Sequence, residues 1–379
     1  MGCAAHVAQQ IEYVRSQGPI TNGPKKVLVI GASTGYGLSS RITAAFGCGA
    51  ATMGVFFEKP SDGIRTATAG WYNSAAFEAQ AKKEGLYTRS FNGDAFSDQM
   101  RQDVCKAIKE DWGQADCVIY SLASPRRVDP KTGYIYKSVI KPKGSSYKNK
   151  TIDFENTQVV PILLEPASPQ DIEETVKVMG GEDWQLWIEA LTAGNLLAPH
   201  AITVAYSYIG PDVTKPVYRN GTLGAAKDHL ENTARSLDER MKKIGGRALV
   251  SVNKALVTQS SSAIPFIPLY FVILMKVMKQ KGLSEYCIHQ MYRLFAERLF
   301  NGRPLSQIPV DDRGRVRIDD KEMRSDVQEE VMHLWEQVDT GNLPKVADIQ
   351  GYNDDFLKLF GFGFPGVDYD ADVDPQVPL

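Results

Sequence analysis

The apolar run KKVLVIG (25–31) leads directly into GASTGYG, with glycines at 31, 35 and 37, and a helical segment follows over residues 37–46. A strand that ends in glycine and opens a helix brings backbone N–H groups to the positive end of that helix. With no side chains in the way, a pyrophosphate can approach there. The spacing is G-x3-G-x-G, wider than G-x-G-x2-G, and the flanking strand and helix favour a nucleotide site over a purely structural turn.

Further apolar strands are expected at ATMGVFFE (51–58), LYTRSFNGD (86–94), DCVIYSLAS (116–124), AITVAYSYIG (201–210) and RALVSVNKALVT (247–258), separated by helical stretches. This alternation predicts an α/β, doubly wound parallel sheet of Rossmann type, covered on both faces. The 379 residues are read as one enlarged domain, 1–379. Residues 126–199 break the alternation and are read as an insertion on the substrate side. It contains a hairpin turn at DPKTG (129–133) and a helix opened by Ser168, Pro169 and Asp171 and stopped at Gly180 and Gly181. Residues 304–379 form a C-terminal extension packed on the core, with a helix at 326–338 and a packed aromatic segment, FGFGFPG (360–366).

Forty-three basic against forty-five acidic residues leave a net charge of -2, so no nucleic-acid partner is expected. Five scattered cysteines, an odd number, suit reduced thiols in the cytoplasm. The five histidines show no ligand spacing, and no metal is implied. MGCAAH lacks the hydroxyl residue of a myristoylation signal, and no secretory leader is recognised. The longest uncharged stretch, near residues 255–275, has an apolar part too short to span a membrane and reads as buried helix.

Glu58 closes the second strand after Phe57. A carboxylate there can bind both ribose hydroxyls of NADH and repel the extra phosphate of NADPH. Lys59 softens that exclusion, and a solvated strand-end glutamate is the alternative. Asp94 and Ala95, after the third strand, belong near the adenine; Leu122 and Ala123, after the fourth, near the nicotinamide ribose.

VYRNGTLGAAK (217–227) holds Tyr218 and Lys227 with eight residues between them. The spacing alone says little, because Tyr134/Lys143, Tyr206/Lys215 and Tyr270/Lys279 repeat it. Context separates this pair from the others. Leu223, Ala226, Leu230, Ala234, Leu237, Met241 and Ile244 form the apolar stripe of a helix starting near Thr222, and Lys227 falls inside that stripe. A lysine there either meets an anionic or polar partner or snorkels from the stripe edge. One continuous helix would put the two residues on opposite faces. The turn signal Asn220-Gly221 frees Tyr218 to fold back over the first helical turns.

The strings GASTGYGLSSRITAAFG, GVFFEKP, GWYNSAAF, NGDAFSD, YSLASPRR, KVMGGEDWQLWI, AYSYIGP, LVTQSSSAIP, KVMKQKG and GVDYDADV, with the Tyr218/Lys227 segment, resemble the FabV-type enoyl-acyl-carrier-protein reductases and the related trans-2-enoyl-CoA reductases over nearly the whole chain. The resemblance implies an enlarged short-chain-reductase fold that works as a monomer with NADH on enoyl thioesters of acyl carrier protein or CoA. It implies NADH contacts at Gly31, Ala32, Ser33, Thr34, Gly35, Tyr36, Phe57, Glu58, Asp94, Ala95, Leu122, Ala123, Lys227, Leu256, Val257 and Thr258. It also implies Tyr208 as a substrate contact and Tyr218 as proton donor. Members of that family carry a further N-terminal stretch before the segment matching Gly2-Cys3, so an early strand or hairpin is expected to be missing here.

The chemistry expected is conjugate reduction, with a tyrosine hydroxyl stabilising the charge that gathers on the thioester oxygen and Lys227 holding the cofactor and lowering the tyrosine pKa. The apolar segment from Pro265 to Met278 suits the wall of an acyl pocket, although core packing accounts for it too. Residues 126–150 carry eight basic residues against one Asp, an excess suited to CoA phosphates or an acidic carrier, or simply to a solvated face. A 3-ketoacyl-thioester or related carbonyl reductase is the alternative, disfavoured because no Tyr-x3-Lys occurs. A non-catalytic NADH-binding protein is a further one.

Overall fold

The computed structural model describes residues 1–262, 264 and 267–379. Its strands are β1 (Lys26–Ile30), β2 (Ala51–Phe56), β3 (Thr88–Asn92), β4 (Ala115–Tyr120), β5 (Arg126–Val128), β6 (Ile135–Lys137), β7 (Tyr147–Asp153), β8 (Gln158–Leu164), β9 (Leu197–Ser207), β10 (Arg247–Val252) and β11 (Arg315–Arg317). Seven of them form one sheet in the order β11-β10-β9-β4-β1-β2-β3, and every pairing is parallel. The doubly wound α/β expectation is met.

Alternation along β1 shows why. Leu28 and Ile30 enter one buried cluster with Trp184, Trp187 and Leu237; Val27 and Val29 enter another with Met291, Leu294 and Phe295. A strand buried on both faces needs an unbroken apolar run, which KKVLVIG supplies. The helices that place the site are α1 (Gly2–Gln17), α2 (Gly35–Ile42), α3 (Ala69–Lys83), α4 (Asp98–Ala107), α5 (Pro169–Met179), α6 (Glu182–Ala193), α7 (Thr222–Met241), α8 (Gln259–Ser262), α9 (Ile267–Gln280), α10 (Cys287–Arg293) and α11 (Ser325–Gln337).

The segment 126–199 contributes two antiparallel hairpins, β5–β6 turned at DPKTG and β7–β8, then α5 and α6. At α5 the capping box is complete: Ser168 Oγ accepts from Asp171 N (3.1 Å) and Asp171 Oδ2 from Ser168 N (2.9 Å). This segment also anchors the start of α7, where Thr222 N donates to Lys141 O (3.0 Å). In the C-terminal region β11 pairs with β10 and α11 packs on α9. The tail returns to α3, with Trp71 Nε1 donating to Val377 O and Tyr72 Oη to Pro375 O, both at 2.8 Å.

Several expectations need correction. The first helix after β1 ends at Ile42 and widens into a π turn over Thr43–Gly47. β10 stops at Val252, and residues 253–258 leave the sheet as a loop over its carboxyl edge. Such an apolar run reads the same whether strand or buried loop. Ile244 is not part of the buried stripe: α7 ends at Met241, the next turn tightens to a 3-10 turn, and Ile244 is 36% exposed. Of the three phenylalanines in FGFGFPG only Phe364 is buried, while Phe360 and Phe362 face solvent.

Candidate active site

Chain connections run in opposite directions from β1 and β4, and this opens a crevice at their carboxyl ends. Gly31 sits there with φ 88°, and a Cβ on it would lie 2.3 Å from Ser121 O, just before Leu122. A Cβ on Gly37 would fall 1.8 Å from Gly31 O. Neither Gly31 nor Gly37 thus has room for a side chain. Thr34, at the N-cap of α2, makes no side-chain capping bond, so the first-turn N–H groups are left open to an anion. Thr258 closes in from the far side, its Cγ2 3.8 Å from where a Cβ on Gly35 would lie.

β2 stops at Phe56 and so does not reach Glu58 as expected; two residues on, Glu58 accepts hydrogen bonds from Ser33 Oγ (2.6 Å) and Thr68 Oγ1. Its backbone exchanges two bonds with the Asn92 side chain (2.8 and 2.9 Å), which fixes the strand end. Gly70 leaves room for this carboxylate, because a Cβ there would lie 2.0 Å from Glu58 Oε1 and displace it. Phe57 is 74% exposed, and Lys59 makes no ion pair with a described residue. Asp94 caps its own turn by accepting from Phe96 N (2.9 Å), while Ala95 O accepts from Trp187 Nε1 (3.1 Å). Leu122 packs against the same cluster as Ala95, and Ala123 is exposed. Tyr36 turns its hydroxyl toward the loop after β10, donating to Lys254 O (2.7 Å).

On the substrate side, Tyr208 and Tyr218 meet edge to face, ring centroids 5.0 Å apart at 80°. Tyr218 precedes α7 in a turn, with Gly221 N donating to Tyr218 O (3.3 Å), as Asn220-Gly221 implied. The close fit of this turn on the helix shows at Gly224, where a Cβ would lie 1.7 Å from Arg219 O. Tyr218 is 7% exposed, yet its hydroxyl has no hydrogen-bond partner among the described residues. Burial, with the Glu322 charge adding to it, holds this phenol above its ordinary pKa, the reverse of the lowering by Lys227 expected from the sequence. Lys227 lies one turn before Leu230, with protein around much of its length but part of the side chain accessible. Desolvation lowers its pKa to about 8, opposed by Glu231, and its ammonium too makes no hydrogen bond or ion pair with a described residue. Both polar groups are therefore available. They do not bond to each other, and Lys227 is a half-buried residue at the stripe edge.

Local sequence reasoning missed a buried network behind this pair. Glu322, fully buried, accepts from Tyr208 Oη (3.0 Å) and Tyr270 Oη (2.7 Å) on Oε1, and from Ala255 N (2.6 Å) on Oε2. Burial raises its carboxyl above the usual range, opposed chiefly by Lys254. Leu256, Val257 and Thr258 continue from Ala255, and Val257 packs on the cluster containing both tyrosines. One signal was available: Tyr270 is the lone phenol in the apolar first part of α9 (267–275), and a buried phenol needs a partner. Pro265 and Phe266 lie outside the described residues.

A family model described as the trans-2-enoyl-CoA reductase catalytic region matches residues 65–300, and its NAD(P)H binding domain matches residues 1–63. The enoyl-acyl-carrier-protein reductase (NADH) of Opitutus terrae is 60% identical, covering 100% of this chain and 95% of that protein. The protein of the same name from Flavobacterium psychrophilum is 58% identical over 99% and 94%. Among solved structures, the Clostridium acetobutulicum trans-2-enoyl-CoA reductase in complex with NADH aligns with TM-score 0.95 and 46% identity, covering 99% of this chain and 94% of that one. The Treponema denticola trans-2-enoyl-CoA reductase in complex with NAD aligns at 0.94 and 48%, covering 100% and 95%.

A third model, described as an enoyl reductase FAD binding domain, matches residues 310–373. The residues present do not fit a flavin dinucleotide. β11 is followed by Ile318-Asp319-Asp320 and lacks a glycine turn opening a helix. The cavity this segment helps to line, about 350 Å3, carries Glu285, Asp348, Asp354 and Asp355, and Lys279 and Lys358 are already paired with Asp348 and Asp355. The nucleotide cradle on β1 and the carboxylate after β2, by contrast, fit NADH. With family models spanning most of the chain and relatives matched along its length, the chain belongs to the trans-2-enoyl-CoA reductase family, which its FabV-type motifs indicated.

Proposed function

We propose that this protein reduces the C2–C3 double bond of trans-2-enoyl thioesters with NADH, closing a round of fatty acid elongation. The observation that carries this reading is a buried tyrosine, Tyr218, whose hydroxyl bonds to no described residue, beside a second tyrosine at the carboxyl edge of a dinucleotide-binding sheet. NADH, when bound, supplies the hydride that reaches C3. Gly31 to Tyr36 hold its pyrophosphate, Phe57 and Glu58 the adenosine ribose, Asp94 and Ala95 the adenine, and Leu122, Ala123 and Leu256 to Thr258 the nicotinamide end. Tyr218 donates a hydrogen bond to the thioester oxygen, where negative charge develops, and provides the proton that ends at C2. A phenol is protonated at neutral pH, as a donor requires, and burial extends that state further into the alkaline range. Lys227 supports the cofactor ribose, and Tyr208 contacts the thioester.

Leu274, Met275 and Met278 of α9 line the cavity of about 350 Å3 and give an acyl chain an apolar wall. Of the eight basic residues in 126–150, Arg127 and Lys141 are paired with Glu182 and Asp171, and Lys150 donates to Val338 O (3.0 Å). Arg126, Lys131, Lys137, Lys143 and Lys148 stay exposed, a face suited to the phosphates of CoA or an acidic carrier protein. We read the protein as a monomer of the cytoplasm, with 1–379 acting as one unit. The paired β10–β11 edge and the free thiols support that reading. No helix among the described residues is long and apolar enough to cross a membrane. The direct test follows NADH and NADPH oxidation with crotonyl-CoA, a long-chain enoyl-CoA and an enoyl carrier protein. No oxidation with any of them would overturn the reading.

Two variants probe the cofactor side. Glu58→Ala removes the ribose acceptor together with the charge opposing a 2′-phosphate. The preference for NADH over NADPH in kcat/KM should drop at least about tenfold, and an unchanged ratio would relieve Glu58 of that role. Lys227, with its pKa at about 8, is charged below that pH and neutral above it. NADH is an anion, so its dissociation constant should rise as pH passes 8, and Lys227→Met should remove the inflection. Titration of NADH binding between pH 6.5 and roughly 9.5 reads this directly, and a flat profile in the parent protein would count against it.

A further inference from the structure

The network behind the tyrosine pair is built in a way that packing alone does not require. Glu322 comes from the segment after β11, far from the nucleotide-binding motifs in sequence, and is 0% exposed. Its two oxygens take three hydrogen bonds from three separate elements: Tyr208 at the end of β9, Tyr270 on α9, and Ala255 N at the start of the loop that continues to Thr258. Around it, Lys254 donates its ammonium to Ala255 O (2.8 Å), and Gln328 Nε2 donates to Glu322 O (2.7 Å) and to Tyr270 Oη (3.3 Å). A buried carboxylate is costly unless its acceptors are filled, and here they are. The consequence falls on Tyr208. Its hydroxyl is a donor to Glu322, so the tyrosine's rotation and the direction of its proton are set by a residue of the C-terminal segment. The same carboxylate fixes the backbone from which the nicotinamide loop departs.

We infer that Glu322 is a positioning residue for the reaction: it holds Tyr208 and the Ala255–Thr258 loop in one register, so that a thioester on Tyr208 is aligned with Tyr218. This rests on the proposed role of Tyr208 as a substrate contact. Glutamine is the informative replacement because it has the same shape but only one acceptor oxygen. With that oxygen kept on Ala255 N, the amide faces the two phenols, which must turn to accept, and Tyr208 releases its proton elsewhere. With the amide reversed, two donors oppose each other at Ala255.

Steady-state kinetics of the full chain with crotonyl-CoA, together with NADH titration and thermal unfolding, test this across Glu322→Gln, Tyr208→Phe and the double variant. Glu322→Gln should lower kcat/KM for the thioester about tenfold, mostly through KM, while NADH affinity stays within about threefold. In the Tyr208→Phe background the same change should cost less than about twofold, because its target is gone. A tenfold loss in both backgrounds would overturn the proposal in favour of a general structural role. An inert Glu322→Gln beside an impaired Tyr208→Phe would overturn it and leave Tyr208 as a substrate contact. A fully active Tyr208→Phe would dismiss the Tyr208 assignment and this proposal with it.

Discussion

Replacing Tyr218 by phenylalanine should lower kcat by about a thousandfold, with the NADH dissociation constant held within about twofold. Phenylalanine keeps the edge-to-face contact with Tyr208, at 5.0 Å between centroids, so the turn before α7 has no packing reason to move. The hydroxyl itself bonds to no described residue, so its removal strands no buried partner and costs little stability. On the role proposed for Tyr218, what disappears is the donor to the thioester oxygen, and with it the route for the proton. Turnover measured at saturating NADH and thioester, next to a fluorescence titration of NADH, separates the two effects. A loss smaller than tenfold would mean that another group carries the proton.

Gly37→Ala should do the opposite, abolishing cofactor binding and destabilising the fold by about 3 kcal/mol. The new methyl carbon would lie 1.8 Å from the backbone oxygen of Gly31, where no rotamer change relieves the clash. Relief requires α2 to move off β1, and that also moves the uncapped helix end from the place where the pyrophosphate belongs. Gly31 cannot give way, since its own approach to Ser121 O is already close. Urea unfolding and NADH titration of the variant measure both losses. An unchanged unfolding midpoint with tight NADH binding would show that the glycine turn after β1 yields to a methyl group, contrary to its geometry.

The sequence made legible what is local. β1, its glycine turn and the start of α2 lie within a dozen residues, and each reports the same junction. Glu58 could be placed because a strand end is a local feature, and Tyr218 because Asn220-Gly221 marks the turn that frees it from α7. Lys227 was only half legible: helical periodicity gave its face but not how far the cleft reaches along that face. Ile244 failed for the reverse reason, since the periodicity continues past the point where α7 tightens and ends. Glu322 was out of reach. Its partners Ala255 and Tyr208 stand 67 and 114 residues away, and a glutamate in the mixed run DDKEMRSD has no pattern that distinguishes it from a solvated one. Only the return of the C-terminal segment beneath the sheet's edge brings those groups together.

That return has a consequence for how the chain is made. β10 is an edge strand until β11 pairs with it, and β11 is only Arg315–Arg317. Its arginines are paired with Asp311, Glu231 and Asp319, so the finished edge is short, charged and blunt. During synthesis roughly sixty residues separate the two strands, which at about 5–20 residues per second leaves β10 unpaired for several seconds. Throughout that interval the nascent protein carries an apolar strand with open hydrogen-bonding groups, able to capture another chain. The segment that carries Glu322 therefore also closes the sheet edge that stood open to other chains.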